Sequence, residues 1–401
     1  MNFSIWDLPG PENFVSGIID DIRLGRNVFL LLPETTPGGL YEAIKQKLKE
    51  TITSLERLSA AEISQSSPAY DLHQFYNTKI ENENFDIASL CRSENFQSRV
   101  IWLENIVGPK EQEWYNFLKQ YSVACSNQRL IERSLFVIPI YGQHTRDDLP
   151  IENLLTHHWF WGKISSLDLQ IFASMMLSPR HDYTLQNRLF LSVIASLCGY
   201  DLSAAEKLTR RLEIEENALI SELENLATER KWNDSLVQKI WINDFQQMEW
   251  DFKSTKPNYT VIKQWAAGML DKVDGRIMIS PVAEIVRGNP GEIRQRIWRG
   301  HVQCLLPIID ECRLKVIQYL ETNYRPRLSF LINNDQGPLE IGSIKYYIDT
   351  NPQIRKRIDR DFHNYIKLLT RIRNDLAHLK PISLTHINRF ESGLQALFCK
   401  G

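Results

Sequence analysis

The sequence predicts an α/β domain built on a parallel sheet, a helical middle and a C-terminal helical bundle. Three observations carry that prediction. Short, continuously apolar runs alternate with helical periodicity between residues 27 and 138. From residue 165 onward only three- and four-residue apolar spacing remains. A stretch rich in proline and glycine, residues 251–289, then precedes a fresh set of helix start and stop signals.

The apolar runs are Asn27–Leu32, Arg99–Leu103 and Ser134–Ile138. They are apolar without alternation, as strands covered on both faces are. Between them Tyr41, Ile44, Leu48, Ile52 and Leu55 give residues 39–57 a helical period, and residues 112–121 follow suit. Strand alternating with helix implies a layered α/β domain, placed at residues 1–164. A helical region, expected to be a lid or winged-helix-like unit, covers 165–250. Its helices are read at 167–177, 184–198 and 203–230, with Ser203 as N-cap and Glu206 completing a capping box. Pro257, Gly268, Gly275, Pro281, Gly288 and Pro290 make 251–289 a loop-rich connection.

A chain of 401 residues is long for a single core, which agrees with several domains. Hydrophobic residues at 43% and charged residues at 24% describe a folded protein and exclude a disordered one. A formal net charge of -2 excludes a uniformly basic coat for nucleic acid but leaves room for a local basic face. Six cysteines without a C-x-x-C pair suit reduced thiols. The N-terminal residues lack a basic start followed by an apolar run, and no apolar run approaches the ~20 residues of a membrane helix. A soluble, cytoplasmic protein with no membrane association is expected.

The first run is followed by Pro33, Glu34, Thr35, Thr36, Pro37, Gly38, Gly39 and Leu40, then a helix. A phosphate-binding loop reads G-x-x-x-x-G-K-[ST] in this context, its lysine meeting phosphate charge and its hydroxyl holding magnesium. Here Gly38 keeps the second glycine, Gly39 replaces the lysine and Leu40 replaces the hydroxyl. Glu104, after Val100–Leu103, stands where a Walker B carboxylate would. The layout resembles the AAA and STAND class of P-loop ATPases with an eroded site, which implies a degenerate module that binds no cofactor and hydrolyses nothing.

The last segment, 290–401, starts with Asn289 as N-cap and Pro290 at the first helical position. Pro307 inside that helix predicts a kink or break near Gln303. A second helix is read from Asn351–Pro352 to Pro381, and a third over 383–398. Near the end of the second stand Arg373, Asn374 and His378. Asn374 and His378 are four apart and share a face, with Arg373 flanking, while Leu369, Ile372 and Leu376 turn into the bundle. A guanidinium grips phosphate with a fork of donors, and an imidazole exchanges protons near neutral pH. These groups suffice for cleavage of RNA without metal.

Asn and His following Arg in the order R-N-x-x-x-H, on the late helix of a small bundle, resembles the HEPN superfamily, whose ribonucleases carry an R-x4-6-H motif. The resemblance covers about residues 290–401. It implies Arg373 and His378 as catalytic residues, Asn374 as a supporting one, RNA as a partner and a composite site formed by a homodimer. It also implies a ribonuclease effector of a bacterial defence system, controlled by the inactive ATPase-like module. The alternative is a non-catalytic scaffold, one of the subunits of an anti-phage defence complex. Other features read as structural. His157 and His158 sit on an extended segment and point oppositely; His181–Asp182 has no third partner; Lys207, Arg210 and Arg211 lie among glutamates on a solvated helix face.

Overall fold

A computed structural model describes residues 4–49, 54–63, 66–78, 85–145, 149–177, 184–211, 215–232, 237, 259–332 and 339–398. In chain order the elements begin with α1 (Pro9–Arg23), β1 (Asn27–Leu32), α2 (Leu40–Lys49), β2 (Leu55–Ser59), α3 (Ala60–Ile63), α4 (Pro68–Phe75) and α5 (Ile87–Arg92). They continue with β3 (Val100–Glu104), α6 (Glu111–Ala124), β4 (Leu135–Tyr141), β5 (Leu155–Trp159), α7 (Ser166–Met176), α8 (Leu185–Cys198), α9 (Leu202–Arg211) and α10 (Glu216–Arg230). Then come α11 (Tyr259–Ala266), β6 (Leu270–Val273), β7 (Arg276–Ile279), α12 (Pro281–Val286) and α13 (Pro290–Ile332). The last are α14 (Ile341–Thr350), α15 (Pro352–Arg355), α16 (Arg360–Ala377) and α17 (Leu384–Phe398). Among the described residues no helix is long and apolar enough to cross a membrane.

The chain forms two compact units. The first combines Met1–Asp168 with Asp234–Ser280, the second Leu169–Asn233 with Pro281–Gly401. The sequence suggests four successive segments. Instead, the helices of 169–233 fold with those of 281–401, and α11 and the β6–β7 hairpin fold with the sheet.

The first unit centres on a parallel sheet in the order β2-β3-β4-β1-β5. All six residues of β1 are buried, as continuous apolar character demands of a central strand. Its Asn27 is buried too, but satisfied: Nδ2 donates to Ser122 Oγ at 3.1 Å, and Oδ1 accepts the Phe136 N–H at 2.8 Å. Two strands differ from the sequence reading. Residues 55–59, the end of an expected helix, form β2, whose Glu56 and Arg57 are spent on Arg99 and Glu104. β5 carries His157 and His158, whose rings point to opposite sides. His158 bonds Asp21 on α1 at 2.6 Å, and His157 bonds the Pro150 carbonyl at 2.9 Å and packs edge-on against Phe29. The stretch expected to be loop, 251–289, holds α11, the β6–β7 hairpin and α12 within its described part. Its glycines occupy the turns: Gly268, Gly275 and Gly288 all have positive φ.

The second unit is helical. α8 and α13 approach closely at Gly300, where a Cβ would lie 2.6 Å from the Val193 Cα. The expected helix 203–230 is two helices, and the cap of the first is Asp201, whose Oδ1 accepts the Ala204 N–H at 3.1 Å. Asp201 also takes the guanidinium of the part-buried Arg230. α13 runs unbroken through Pro307, because Pro307 and Gln303 lie on its exposed side, where water can satisfy the orphaned carbonyl. The helix expected from Pro352 to Pro381 is interrupted: α15 ends at Arg355, and Asp359 caps α16 by accepting the Asp361 and Phe362 N–H groups. Cys91, Cys125, Cys198, Cys304 and Cys312 are free and buried; Cys399 and the His181–Asp182 pair lie outside the described residues.

Candidate functional sites

An open parallel sheet offers a crevice at the carboxyl ends of its strands where the connections diverge to opposite sides. Here that point lies between β1 and β4, with Leu32 opposite Tyr141. The loop after β1, residues 33–39, is the one whose sequence stands against the phosphate-loop pattern. Several of its backbone groups are bonded within the chain. The Glu34 N–H donates to the Ala266 carbonyl at 2.7 Å, the Thr36 N–H to the Pro33 carbonyl at 2.9 Å, and Trp6 Nε1 to the Gly38 carbonyl at 2.9 Å. Two of its side chains lie close against neighbouring glycines. A Cβ on Gly142, just after β4, would overlap Glu34, and one on Gly268 would overlap Thr35.

The charges are spent as well. Glu104 accepts two bonds from Arg57, at 2.9 Å each, and a third from Trp102 Nε1 at 3.1 Å. The Lys47 ammonium on α2 pairs with Glu12 and Ser16. The β6–β7 hairpin is pinned by Asp271, which accepts the N–H groups of Gly162 at 2.8 Å and Lys272 at 2.7 Å. Burial raises this carboxyl to about 7, against the opposing pull of those two donors. A triphosphate and its magnesium do not fit these residues.

The end of α16 is arranged differently. Leu369, Ile372 and Leu376 are buried, as their spacing requires, while Asn374, Ala377 and His378 are exposed. His378 is the C-cap, its N–H donating to the Asn374 carbonyl at 3.0 Å. The turn closes as a Schellman motif: Lys380 N–H to the Asp375 carbonyl at 2.9 Å and Leu379 N–H to the Leu376 carbonyl at 3.2 Å. Leu379 occupies the left-handed position, φ +58°, that usually selects glycine.

Within α16 the structure places Arg373 and His378 apart. Five residues of helix separate them by about 140° around the axis. The Arg373 guanidinium turns toward Glu340, which precedes α14, at 3.3 Å, with both side chains substantially exposed. Asn374 and His378 share the open face. No hydrogen bond or ion pair joins Arg373 to His378 among the described residues.

Two residues that the sequence reading does not single out hold this turn. Trp298 Nε1 donates to the Leu376 carbonyl at 2.8 Å, and His301 Nδ1 accepts the Ile382 N–H at 2.8 Å. Accepting at Nδ1 places the proton of the neutral ring on Nε2, which is buried without a partner. Burial lowers this imidazole to about 4. Their spacing of three on α13 is the only signal in the sequence, and it resembles that of any core pair.

No group of three or more His, Cys, Asp or Glu side chains among the described residues could hold a metal ion. No family model and no curated protein matches the chain. Among solved structures the chain is similar to the ORC2 protein of Aeropyrum pernix in its ADPNP–ADP complexes. The identity is 14%, the match covers 70% of this chain and 92% of that one, and the TM-score is 0.32, too loose a superposition to bear on fold or function.

Proposed function

We propose that this chain is a metal-independent endoribonuclease of the HEPN type, acting in a bacterial defence system, with its α/β unit serving as an inactive, ATPase-like regulatory module. The observation that carries this reading is the exposed end of α16, where Asn374 and His378 stand in solvent with their side chains uncommitted to the core. Arg373 lies one step before them, and its acidic partner Glu340 is itself exposed, so a phosphate can displace it at small cost. In the reaction the 2′-hydroxyl loses its proton to a base and its oxygen bonds to phosphorus. The bond from phosphorus to the 5′-oxygen breaks, and that oxygen takes a proton. His378 is the proton-transfer group, Arg373 stabilises charge on the phosphoryl oxygens, and Asn374 orients the strand. Because Arg373 and His378 diverge around α16, the composite site takes Arg373 and His378 from two copies of the chain across a two-fold axis.

The test is RNA cleavage by the full chain in EDTA. Arg373→Ala and His378→Ala are each expected to slow it by on the order of a hundredfold or more, and Asn374→Ala by less, with unchanged thermal unfolding. Equal rates in wild type and both variants, including toxicity in cells exposed to phage, would overturn the proposal. A second reading, a non-catalytic scaffold in a defence complex, draws support from the filled crevice of the first unit: a chain that has lost one site can have lost another.

A further inference from the structure

The exposed residues of α16 form a single line. Taking about 100° per residue, Arg360, Asn364, Lys367, Arg371, Asn374 and His378 fall within about 40° of one line along the helix. Five of the six are exposed and Lys367 is half-buried, while Phe362, Tyr365, Ile366, Leu369, Ile372 and Leu376 occupy the buried side. The line holds three cations, two amides and an imidazole, and no carboxylate. The acids of the same helix lie off it, Asp375 by about 60° and Asp361 by about 100°. Only Arg371 has an acidic neighbour, Asp375, at 3.9 Å. Arg360 and Lys367 make no ion pair among the described residues.

The exposed face of α9 and α10 looks otherwise. On α9 and α10 every cation of the exposed face has its acid: Lys207 with Glu229, Arg210 with Glu206 at 2.5 Å, and Arg211 with Glu222 at 3.0 Å. The line on α16 thus differs from the face of α9 and α10. It places a cation or an amide at each turn, about 5.4 Å apart, over the 18 residues of the helix, a length of about 27 Å. That repeat suits an extended strand of phosphates, to which arginine, lysine and amides all donate. The line ends at His378.

We infer that this face of α16 is a track for the phosphodiester backbone of single-stranded RNA, leading the strand to His378. The identity of the strand as RNA rests on the ribonuclease reading; the track itself rests on the line of donors. Its test reads binding alone. A fluorescent 2′-O-methyl oligouridylate of roughly a dozen residues cannot be cleaved by 2′-hydroxyl attack, and its affinity for the full chain is followed by anisotropy against salt. Wild type should bind with log Kd rising linearly with log salt. The triple variant Arg360→Gln, Lys367→Gln, Arg371→Gln should flatten that slope by about 2, three phosphates at ~0.7 each, and weaken binding at least tenfold near 0.1 M salt. Removing three cations from α9 (Lys207→Gln, Arg210→Gln, Arg211→Gln) changes net charge equally and should leave the slope unaltered.

Equal slopes for wild type and the α16 variant would overturn the track, as would absence of binding by wild type. Capture by anionic phosphatidylserine vesicles without oligonucleotide binding would overturn it too, assigning the face to a membrane surface. The two claims fail separately. Cleavage of natural RNA with no effect of the α16 variant on affinity sinks the track and keeps the nuclease. Binding through α16 with no cleavage sinks the nuclease and keeps the track.

Discussion

The loop after β1 and the end of α16 are both places where a regular element stops and leaves polar groups to be satisfied, yet they satisfy them in opposite ways. In the loop, the N–H groups of Glu34 and Thr36 and the carbonyl of Gly38 are bonded within the chain, and Glu34 and Thr35 fill the space beside Gly142 and Gly268. At the end of α16 only the backbone is tied down, by the Schellman turn and by Trp298 and His301, while Asn374 and His378 point into solvent. The difference teaches that two element ends of similar backbone economy can leave very different side chains free, which is what the proposed function rests on.

That contrast can be broken first at the filled crevice. Gly268 has φ +75° and no room for a Cβ beside Thr35, so Gly268→Ala should destabilise the first unit by about 2–5 kcal/mol, combining left-handed strain with overpacking. Chemical denaturation measures it. A loss below ~1 kcal/mol would mean that the loop yields easily and the crevice is not truly closed.

The next effect concerns the anchored turn. The His301 pKa is lowered, so the neutral ring is the form that folding favours. The stability it contributes is fully present above its unfolded pKa of ~6.5 and is lost as pH falls from there through about 4. At roughly 1.4 kcal/mol per pH unit over about 2.5 pH units, the loss comes to somewhat over ~3 kcal/mol at the acid end. His301→Asn keeps an acceptor for the Ile382 N–H without titrating, and its unfolding free energy should depend less on pH over that window. Identical acid profiles for the two proteins would contradict the assigned role. Asp271 acts with the opposite sign. Its raised pKa means that its contribution is present below ~3.9 and lost as pH rises through about 7.

How much of this was legible beforehand follows the same division. β1, β3 and β4 are readable because strands covered on both faces are almost continuously apolar, with polar residues such as Asn27 and Glu104 only at their ends. β2 and β5 are not, because edge strands carry charges whose partners lie elsewhere in the chain: Arg57 needs Glu104, and His158 needs Asp21. Asp201 hides as a cap because the same carboxylate also holds Arg230, a partner 29 residues away. The exposure of Asn374 and His378 is readable from spacing alone, since an exposed helix end needs no long-range partner to be exposed, whereas the turn of Arg373 toward Glu340 is not. The filling of the crevice by Ala266 and Gly268 is illegible, because it depends on a segment more than 200 residues from the loop it closes.

Smaller effects sharpen the contrast. Leu379→Gly should stabilise the Schellman turn by up to ~1 kcal/mol by relieving the left-handed leucine, without altering RNA binding. Restoring a lysine and a hydroxyl by Gly39→Lys with Leu40→Thr should produce no saturable Mg-ATP binding below the millimolar range in calorimetry, because the Glu34 and Thr36 N–H groups remain bonded within the chain and Glu104 stays paired with Arg57. A micromolar Kd in the wild type or in that variant would show the crevice to be open.

The most direct measurement is of the ends of the RNA products. Full-length chain is incubated with single-stranded RNA in EDTA, without nucleotide, and the new termini are identified by mass. Cleavage by 2′-hydroxyl attack at the end of α16 predicts 2′,3′-cyclic phosphates, with DNA of the same sequence left intact. Intact RNA under conditions where the chain binds it, or 3′-hydroxyl termini, would contradict the account and leave the scaffold reading in its place.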